Sequence, residues 1–167
     1  LWSGDLVTMA WWDDLWLNEG FASWMSRKAT DHFHPEWGAG LLAVGDKDQA
    51  MLIDARPSTH PIVRKIATVS QAEQAFDAIT YKKGEAVIRM LEDYVGEDAW
   101  RRGVRRYITQ HSLGNTVTDD LWRAIQEAAP KSPIADVARD FTRQPGVPLI
   151  RVEEAKAEKC QTRVTLR

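Results

Sequence analysis

Apolar residues recur with helical spacing in the first part of the chain. In the segment WWDDLWLNEGFASWM, residues 11–25, they return every three or four positions, which is typical of a helix with one buried face. Asp13 or Asp14 is suited to cap such a helix, because a short carboxylate accepts hydrogen bonds from the first backbone N–H groups. The pattern predicts a helix from one of these aspartates to about Asp31, with an apolar face that contains Leu15, Phe21, Ala22 and Met25.

Further helices are predicted along the chain, separated by turn residues. Pro35 is expected to start a second helix that continues to about Asp54. Residues 56–73 contain two prolines and little periodicity, which predicts a long loop. Gly96 is expected to end the helix that follows this loop. The remaining helices are predicted over residues 76–94, 97–112, 115–129 and 132–143.

The hydrophobic pattern changes near residue 145. The tripeptide Gln-Pro-Gly at residues 144–146 is a turn or linker signal. The segments PLIRVEE and CQTRVTLR alternate with period two, as strands do when one face is buried. The predicted fold class is therefore mainly α: a helical bundle over residues 1–144, followed over residues 145–167 by a β-hairpin that begins a second domain.

Composition and charge exclude several classes of protein. Of the 167 residues, 44% are hydrophobic and 28% are charged, which is the balance of an ordinary globular domain. The formal net charge of −2 gives no basis for binding nucleic acid or an anionic membrane surface. No apolar run approaches the roughly 18 residues of a membrane-spanning helix. A single cysteine, Cys160, excludes an internal disulfide and a cysteine-only metal site.

One carboxylate, that of Glu19, lies in the most apolar part of the sequence. Burial of an ionised carboxylate without a partner is unfavourable by several kcal/mol. Glu19 must therefore reach water, pair with a Lys or Arg, or bind a metal ion. Zinc in proteins is bound by His, Cys, Asp or Glu, and a catalytic zinc ion usually has three protein ligands and a water molecule. The pattern alone leaves the ion pair and the metal site open.

The segment LWSGDLVTMAWWDDLWLNEGFASWM, residues 1–25, resembles the stretch after the H-E-x-x-H motif in the zinc aminopeptidase N family, a gluzincin family. In that family, 18 residues separate the last histidine of the motif from a glutamate ligand in an N-E-G or N-E-A triplet. With Glu19 as that glutamate, residues 1–18 fill the interval and the histidine falls just before Leu1. The resemblance implies a piece of a longer enzyme whose two histidine ligands and general-base glutamate lie upstream.

Two further matches extend this resemblance over nearly the whole chain. The family has a tyrosine followed by x-Lys-Gly beyond its glutamate ligand, and the segment TYKKG places Tyr81 62 residues after Glu19. The segments GNTVTDDLWRAI and FTRQPGVPLIRV resemble the end of the family's thermolysin-like catalytic domain and its passage into a β-sandwich. The resemblance therefore implies that the C-terminal hairpin begins a β-sandwich domain.

The resemblance also implies a chemistry. Glu19 would be the third zinc ligand, and Tyr81 would donate its phenolic O–H to the oxyanion of the tetrahedral intermediate. Asp13 or Asp14 could orient an upstream histidine, although either could simply cap the helix. The substrates would be peptides with a free N-terminus. Because a catalytic site needs three ligands, this chain by itself is expected to bind no stoichiometric Zn²⁺ and to be inactive.

Two other functional interpretations remain open. The first is a non-catalytic aminopeptidase-like binding domain, in which the upstream motif is degenerate. The second is an all-α interaction module without enzymatic ancestry, for which the register of Glu19 and Tyr81 would be a coincidence. The sequence contains no signal that assigns a compartment or a preferred N-terminal side chain.

The remaining aromatic and imidazole side chains are given structural interpretations. The tryptophans at 11, 12, 16 and 24 are interpreted as core, with one of them possible in the substrate cleft. Apolar surface near Trp2, Trp11 and Trp12 is expected to be exposed or covered by another copy, so self-association is possible. The histidines are interpreted as surface residues rather than as a second metal site, and they are His32, His34, His60 and His111.

Overall fold

The computed structural model describes residues 3–158 and 161–167, so Trp2 and Cys160 lie outside the described residues. The helices are α1 (Trp16–Phe33), α2 (Ala39–Asp54), α3 (Val69–Glu73), α4 (Gly84–Val95), α5 (Glu97–His111), α6 (Thr118–Ala128) and α7 (Ile134–Arg143). The strands are β1 (Val7–Met9), β2 (Gly114–Thr116), β3 (Val152–Glu158) and β4 (Gln161–Leu166). In these ranges no helix is both long and apolar enough to cross a membrane. The predicted fold class, mainly α with a C-terminal hairpin, is confirmed.

The helices α1 to α7 form the helical body of the structure. Its core forms between α1 and α4. The buried face of α4 contains Val87, Ile88 and Leu91, which recur at helical spacing. These side chains share one hydrophobic cluster with Trp16 and Trp24 of α1. Each buried side chain of this size stabilises the fold by roughly 1.5–3 kcal/mol. The cluster therefore fixes α1 relative to α4, and both elements contribute to the site described below.

The start of α1 differs from the prediction. The helix begins at Trp16, and no side chain caps it. Oδ1 of Asp14 instead accepts hydrogen bonds from N and Oγ1 of Thr118, at 3.1 and 2.6 Å. Oδ1 of Asp13 accepts one from N of Ile66 at 2.7 Å. The prediction that one of these aspartates is the N-cap of α1 is wrong, because donors from distant segments occupy both.

The predicted loop between α2 and α4 contains the short helix α3. Thr68 caps this helix through reciprocal hydrogen bonds with Gln71. The rest of the loop is anchored to the body: Ile62 is buried, and N of Val63 donates to O of Thr142 in α7 at 2.9 Å. The loop is therefore held in place by long-range contacts, although its sequence has little periodicity.

Two pairs of strands complete the described structure. β1 and β2 pair in parallel, with Val7 opposite Gly114, and this pair was not predicted because three residues are too few to show a period of two. β3 and β4 pair in antiparallel fashion, with Ala155 opposite Val164, as predicted for a hairpin. That the hairpin begins another domain stays a prediction.

The tryptophans are divided between core and surface. Trp16 and Trp24 are buried as predicted, whereas Trp11 and Trp12 are 58% and 36% exposed. The core interpretation of these two is wrong, and the expectation of exposed apolar surface near them is confirmed. Nε1 of Trp11 donates to O of Ile66 at 2.9 Å, which holds the indole against the outside of the loop. Self-association through this surface stays a prediction.

Candidate functional site

Glu19 and Tyr81 lie next to a point where the backbones of α1 and of the start of α4 pack tightly against each other. Gly20 faces Gly84 across this crossing. A Cβ atom added to Gly20 would lie 3.2 Å from Cα of Gly84 and 3.1 Å from O of Thr80, which is tighter than ordinary van der Waals contact. Glycine therefore permits the two backbones to approach this closely, and the approach brings residues 62 positions apart in the sequence into one site.

The phenol of Tyr81 faces the carboxylate of Glu19. Burial, a side-chain hydrogen bond to Glu19 and the negative charge of that carboxylate together raise the pKa of Tyr81 to about 12. The phenol therefore keeps its proton at neutral pH and remains a hydrogen-bond donor. Within the described residues no Lys or Arg forms an ion pair with Glu19. Both side chains are partly exposed, so the pair lies at the surface of the helical body.

Tyr81 lies in a π-helical turn, Ile79–Lys83, that continues directly into α4. Such turns depart from the α-helical repeat and occur frequently at functional sites. Asp77 satisfies the first N–H groups of this turn: its Oδ1 accepts hydrogen bonds from N of Ile79 and N of Thr80, both at 3.0 Å. Its backbone O accepts from N of Tyr81 at 3.1 Å. The side chain of Asp77, one residue before the N-cap Ala78, therefore caps the turn that carries Tyr81.

His60 binds the other carboxylate oxygen of Asp77. Nε2 of His60 lies 2.6 Å from Oδ2 of Asp77, and Nδ1 lies 2.8 Å from O of Pro61. Both neighbours are acceptors, so each ring nitrogen that carries a hydrogen can donate it to one of them. Burial would raise the pKa of Asp77, but hydrogen bonds from His60 and from N of Thr80 lower it below its ordinary value.

The surface interpretation of the histidines is therefore wrong for His60, whose side chain is only 18% exposed. His32 and His34 are exposed, as predicted, and His111 is half-buried. The sequence contained no local signal for the contact between His60 and Asp77, because the loop brings the two together only through its anchoring contacts elsewhere in the fold.

The far end of the π turn is fixed by a buried ion pair. Nζ of Lys83 lies 2.7 Å from Oδ2 of Asp54, at the end of α2. Lys83 also donates to the backbone O of Gln144 and of Gly146, at 3.4 and 3.5 Å. Burial would raise the pKa of Asp54, but hydrogen bonds from Lys83, from Thr59 and from N of Gly146 lower it. The turn is thereby joined to α2 and to the segment that leaves α7.

Glu19 is the side chain at this site that suits a zinc ion. A carboxylate oxygen is one of the donors that zinc accepts, and the partial exposure of Glu19 leaves it accessible to an ion. Within residues 3–158 and 161–167, no group of three or more His, Cys, Asp or Glu side chains is arranged to hold a metal ion. Asp13 and Asp14 have donors within the chain, and their role toward an upstream histidine stays a prediction.

Comparison with known proteins assigns the class and then the family. The family model of the peptidase family M1 domain matches residues 1–141. The chain is 43% identical over 154 residues to Aminopeptidase 2 of Candida albicans, 38% identical over 164 residues to Aminopeptidase M1 of Arabidopsis thaliana, and 43% identical over 150 residues to Probable aminopeptidase 1 of Saccharolobus solfataricus. These matches cover 92%, 97% and 89% of this chain, but 17%, 18% and 19% of the respective relatives.

The fold and these matches define the class of the chain as a piece of a peptidase-family domain. The chain belongs to the peptidase M1 family. It spans about a fifth of the length of the curated relatives that it matches.

Proposed function

We propose that the protein containing this chain is a zinc-dependent aminopeptidase, which removes N-terminal residues from peptides. The observation that carries the proposal is the pairing of Glu19 with Tyr81 at the crossing of α1 and α4. Membership of the peptidase M1 family and the names of the relatives, which are aminopeptidases, support it. The substrate class is peptides with a free N-terminus.

Glu19 is proposed as one of three protein ligands of the zinc ion, with two histidine partners outside this chain. A bound zinc ion would supply Lewis acidity toward the scissile carbonyl and the attacking water. N of Glu19 donates to O of Leu15 at 3.1 Å, and O of Glu19 accepts from Oγ of Ser23 at 2.8 Å, so the carboxylate extends from a well-bonded turn of α1. The chain alone is proposed to bind no stoichiometric zinc, because it brings one of the three ligands.

Tyr81 is proposed to donate its phenolic hydrogen to the oxyanion that forms when water attacks the scissile carbonyl. A pKa of about 12 suits this role, since the phenol stays protonated across the working pH range. A donor placed in advance at a developing oxyanion lowers the barrier by roughly 3 kcal/mol. The π turn that carries Tyr81 is bonded at both ends, which favours such placement.

The alternative is a non-catalytic aminopeptidase-like binding domain. A scaffold that only binds peptides has no chemical need for a carboxylate beside a protonated phenol at a glycine crossing. The arrangement of Glu19 and Tyr81 therefore favours the enzyme, and the same kinetic experiment tests both proposals.

Tyr81→Phe in the complete enzyme tests the proposal. The change removes the O–H donor and keeps the ring, so kcat should fall about 100-fold while KM changes little. Steady-state hydrolysis of aminoacyl chromogenic substrates, with and without a chelator, gives both constants.

Tyr94→Phe is the matched control, because Tyr94 lies on α4 with its side chain 53% exposed. Equal kcat values for Tyr81→Phe and Tyr94→Phe would show that Tyr81 contributes to packing and not to catalysis. An absence of hydrolysis by the unaltered enzyme with zinc present would favour the binding domain.

A further inference from the structure

We propose that His60 and Asp77 are positioning residues that hold the π turn carrying Tyr81 in the geometry needed for oxyanion stabilisation. The inference rests on the proposed function, because it concerns how accurately the Tyr81 phenol is placed. Among the described residues, no hydrogen bond or ion pair joins His60 or Asp77 to Glu19, so both act through the backbone of the turn rather than on the substrate.

Asp77 determines where the turn begins. Its Oδ1 accepts hydrogen bonds from two successive backbone N–H groups, those of Ile79 and Thr80, at 3.0 Å each. Its backbone carbonyl bonds N of Tyr81 itself at 3.1 Å. A π turn is a rare departure from the α-helical repeat, and the first N–H groups of a helical segment have no partner within it. A cap that satisfies those first donors therefore helps to hold the turn in place.

His60 ties this cap to the body of the protein. Its Nε2 bonds Oδ2 of Asp77 at 2.6 Å, while its Nδ1 bonds O of Pro61 at 2.8 Å. The loop that carries His60 is itself anchored, because Ile62 is buried and N of Val63 bonds O of Thr142 at 2.9 Å. Asp77 is therefore held between the turn that it caps and a loop fixed to α7.

This connection should affect catalysis more than substrate binding. An oxyanion donor acts only when its oxygen lies about 2.7–3.1 Å from the developing charge, and a displacement of about 1 Å reduces the rate by up to 100-fold. Loss of the hydrogen bond between His60 and Asp77 leaves the phenolic O–H of Tyr81 intact, but it allows the turn that carries Tyr81 to move. The expected signature is a lower kcat with little change in KM.

A double-mutant cycle in the complete enzyme tests the inference. His60→Ala and Asp77→Ala are each measured alone and together with Tyr81→Phe. If both residues act through Tyr81, each should lower kcat roughly tenfold in the unaltered background and cause almost no further loss in the Tyr81→Phe background. Asp77→Asn should keep most of kcat, because its Oδ1 still accepts from Ile79 and Thr80 and its amide can donate to a neutral His60.

His34→Ala is the control, because His34 is an exposed histidine paired with Glu36 at 3.1 Å, and it should leave kcat unchanged in both backgrounds. Circular dichroism checks that each variant is folded, and His60→Gln, which keeps a donor, enters the cycle if the alanine variant unfolds. The same fold-loss in both backgrounds, or no loss in either, would overturn the inference. An unchanged kcat for Tyr81→Phe alone would instead contradict the proposed function.

Discussion

Asp14 shows how a single carboxylate can join two helices at an electrostatic cost. Its Oδ1 accepts hydrogen bonds from N and Oγ1 of Thr118, and Oγ1 of Thr118 accepts from Nε1 of Trp16 at 2.8 Å. Burial raises the pKa of Asp14 above its ordinary value, although the bonds from Thr118 oppose the rise. The start of α1 is thereby bonded to the start of α6 by a group whose charged form is disfavoured.

Asp14→Asn tests this balance through the pH dependence of stability. A raised folded-state pKa means that the contribution of Asp14 is fully present below its unfolded pKa, near 3.8, and is lost as pH rises through the folded value. The asparagine amide does not titrate and keeps an acceptor for Thr118. The variant should therefore gain free energy of unfolding relative to the unaltered chain as pH rises from about 3 to about 7.

Urea unfolding of both chains at several pH values measures this difference. Asp93→Asn is the control, because Asp93 is exposed on α4 and its replacement should change stability little at any pH. If the difference in free energy of unfolding between Asp14→Asn and the unaltered chain stayed constant with pH, the argument would be contradicted.

At the scale of residues, the sequence points to Glu19 because a carboxylate in an apolar helix needs a partner. The resemblance to the aminopeptidase N family points to Tyr81 through the TYKKG segment, and both roles stay predictions. His60 and Asp77, 17 residues apart, were not predicted, since their contact depends on the path of an anchored loop. The same holds for Lys83 and Asp54, whose pairing requires α2 to end beside the π turn.

Among the elements, the crossing of α1 with the start of α4 depends on two glycines. Gly20 and Gly84 allow the backbones to touch, and the apolar cluster around Trp16 and Ile88 holds them there. The helices themselves were predictable from their apolar period, which α4 shows clearly. The position of the crossing could not be predicted, because a glycine in a helical sequence does not indicate which other element packs against it.

Gly20→Ala tests the importance of this approach. The new Cβ would lie 3.1 Å from O of Thr80 and 3.2 Å from Cα of Gly84, so the backbone at these two residues must shift by a few tenths of an ångström, at a cost of roughly 1–3 kcal/mol. In the complete enzyme kcat should also fall, because a shift of Thr80 moves the adjacent Tyr81 relative to Glu19. Urea unfolding and steady-state kinetics measure the two effects.

Gly45→Ala is the matched control, since Gly45 lies within α2 and a Cβ added there would meet nothing within 4 Å. Alanine is the better helix former by about 1 kcal/mol, so this variant should be slightly more stable than the unaltered chain. If Gly20→Ala and Gly45→Ala had equal stability, close contact at the crossing would not explain the destabilisation expected for Gly20→Ala.

For the whole molecule, the helical body and the hairpin are joined by the segment after α7. The backbone O atoms of Gln144 and Gly146 accept hydrogen bonds from Lys83, and N of Gly146 donates one to Asp54. Lys83 and Asp54 form the buried ion pair. Beyond Pro148 the described side chains are exposed, with Leu149 at 74% and Ile150 at 67%. The stability of the helical body should therefore depend on residues 144–146 and hardly at all on the hairpin.

Two truncations separate these contributions. A chain that ends at Pro148 loses the hairpin, and the side chains described for residues 149–156 and 162–167 are all exposed, so its free energy of unfolding should match that of residues 1–167. A chain that ends at Arg143 also loses the backbone groups that form hydrogen bonds with Lys83 and Asp54, and hydrogen bonds to charged groups contribute roughly 1.5–3 kcal/mol each. The shorter chain should therefore be less stable by roughly 2–4 kcal/mol.

Urea unfolding followed by tryptophan fluorescence, at two protein concentrations, measures the stability and reveals any self-association. Lower stability of the chain ending at Pro148 would show that the hairpin packs on the helical body, and equal stability of the two truncations would show that residues 144–146 do not support the buried pair.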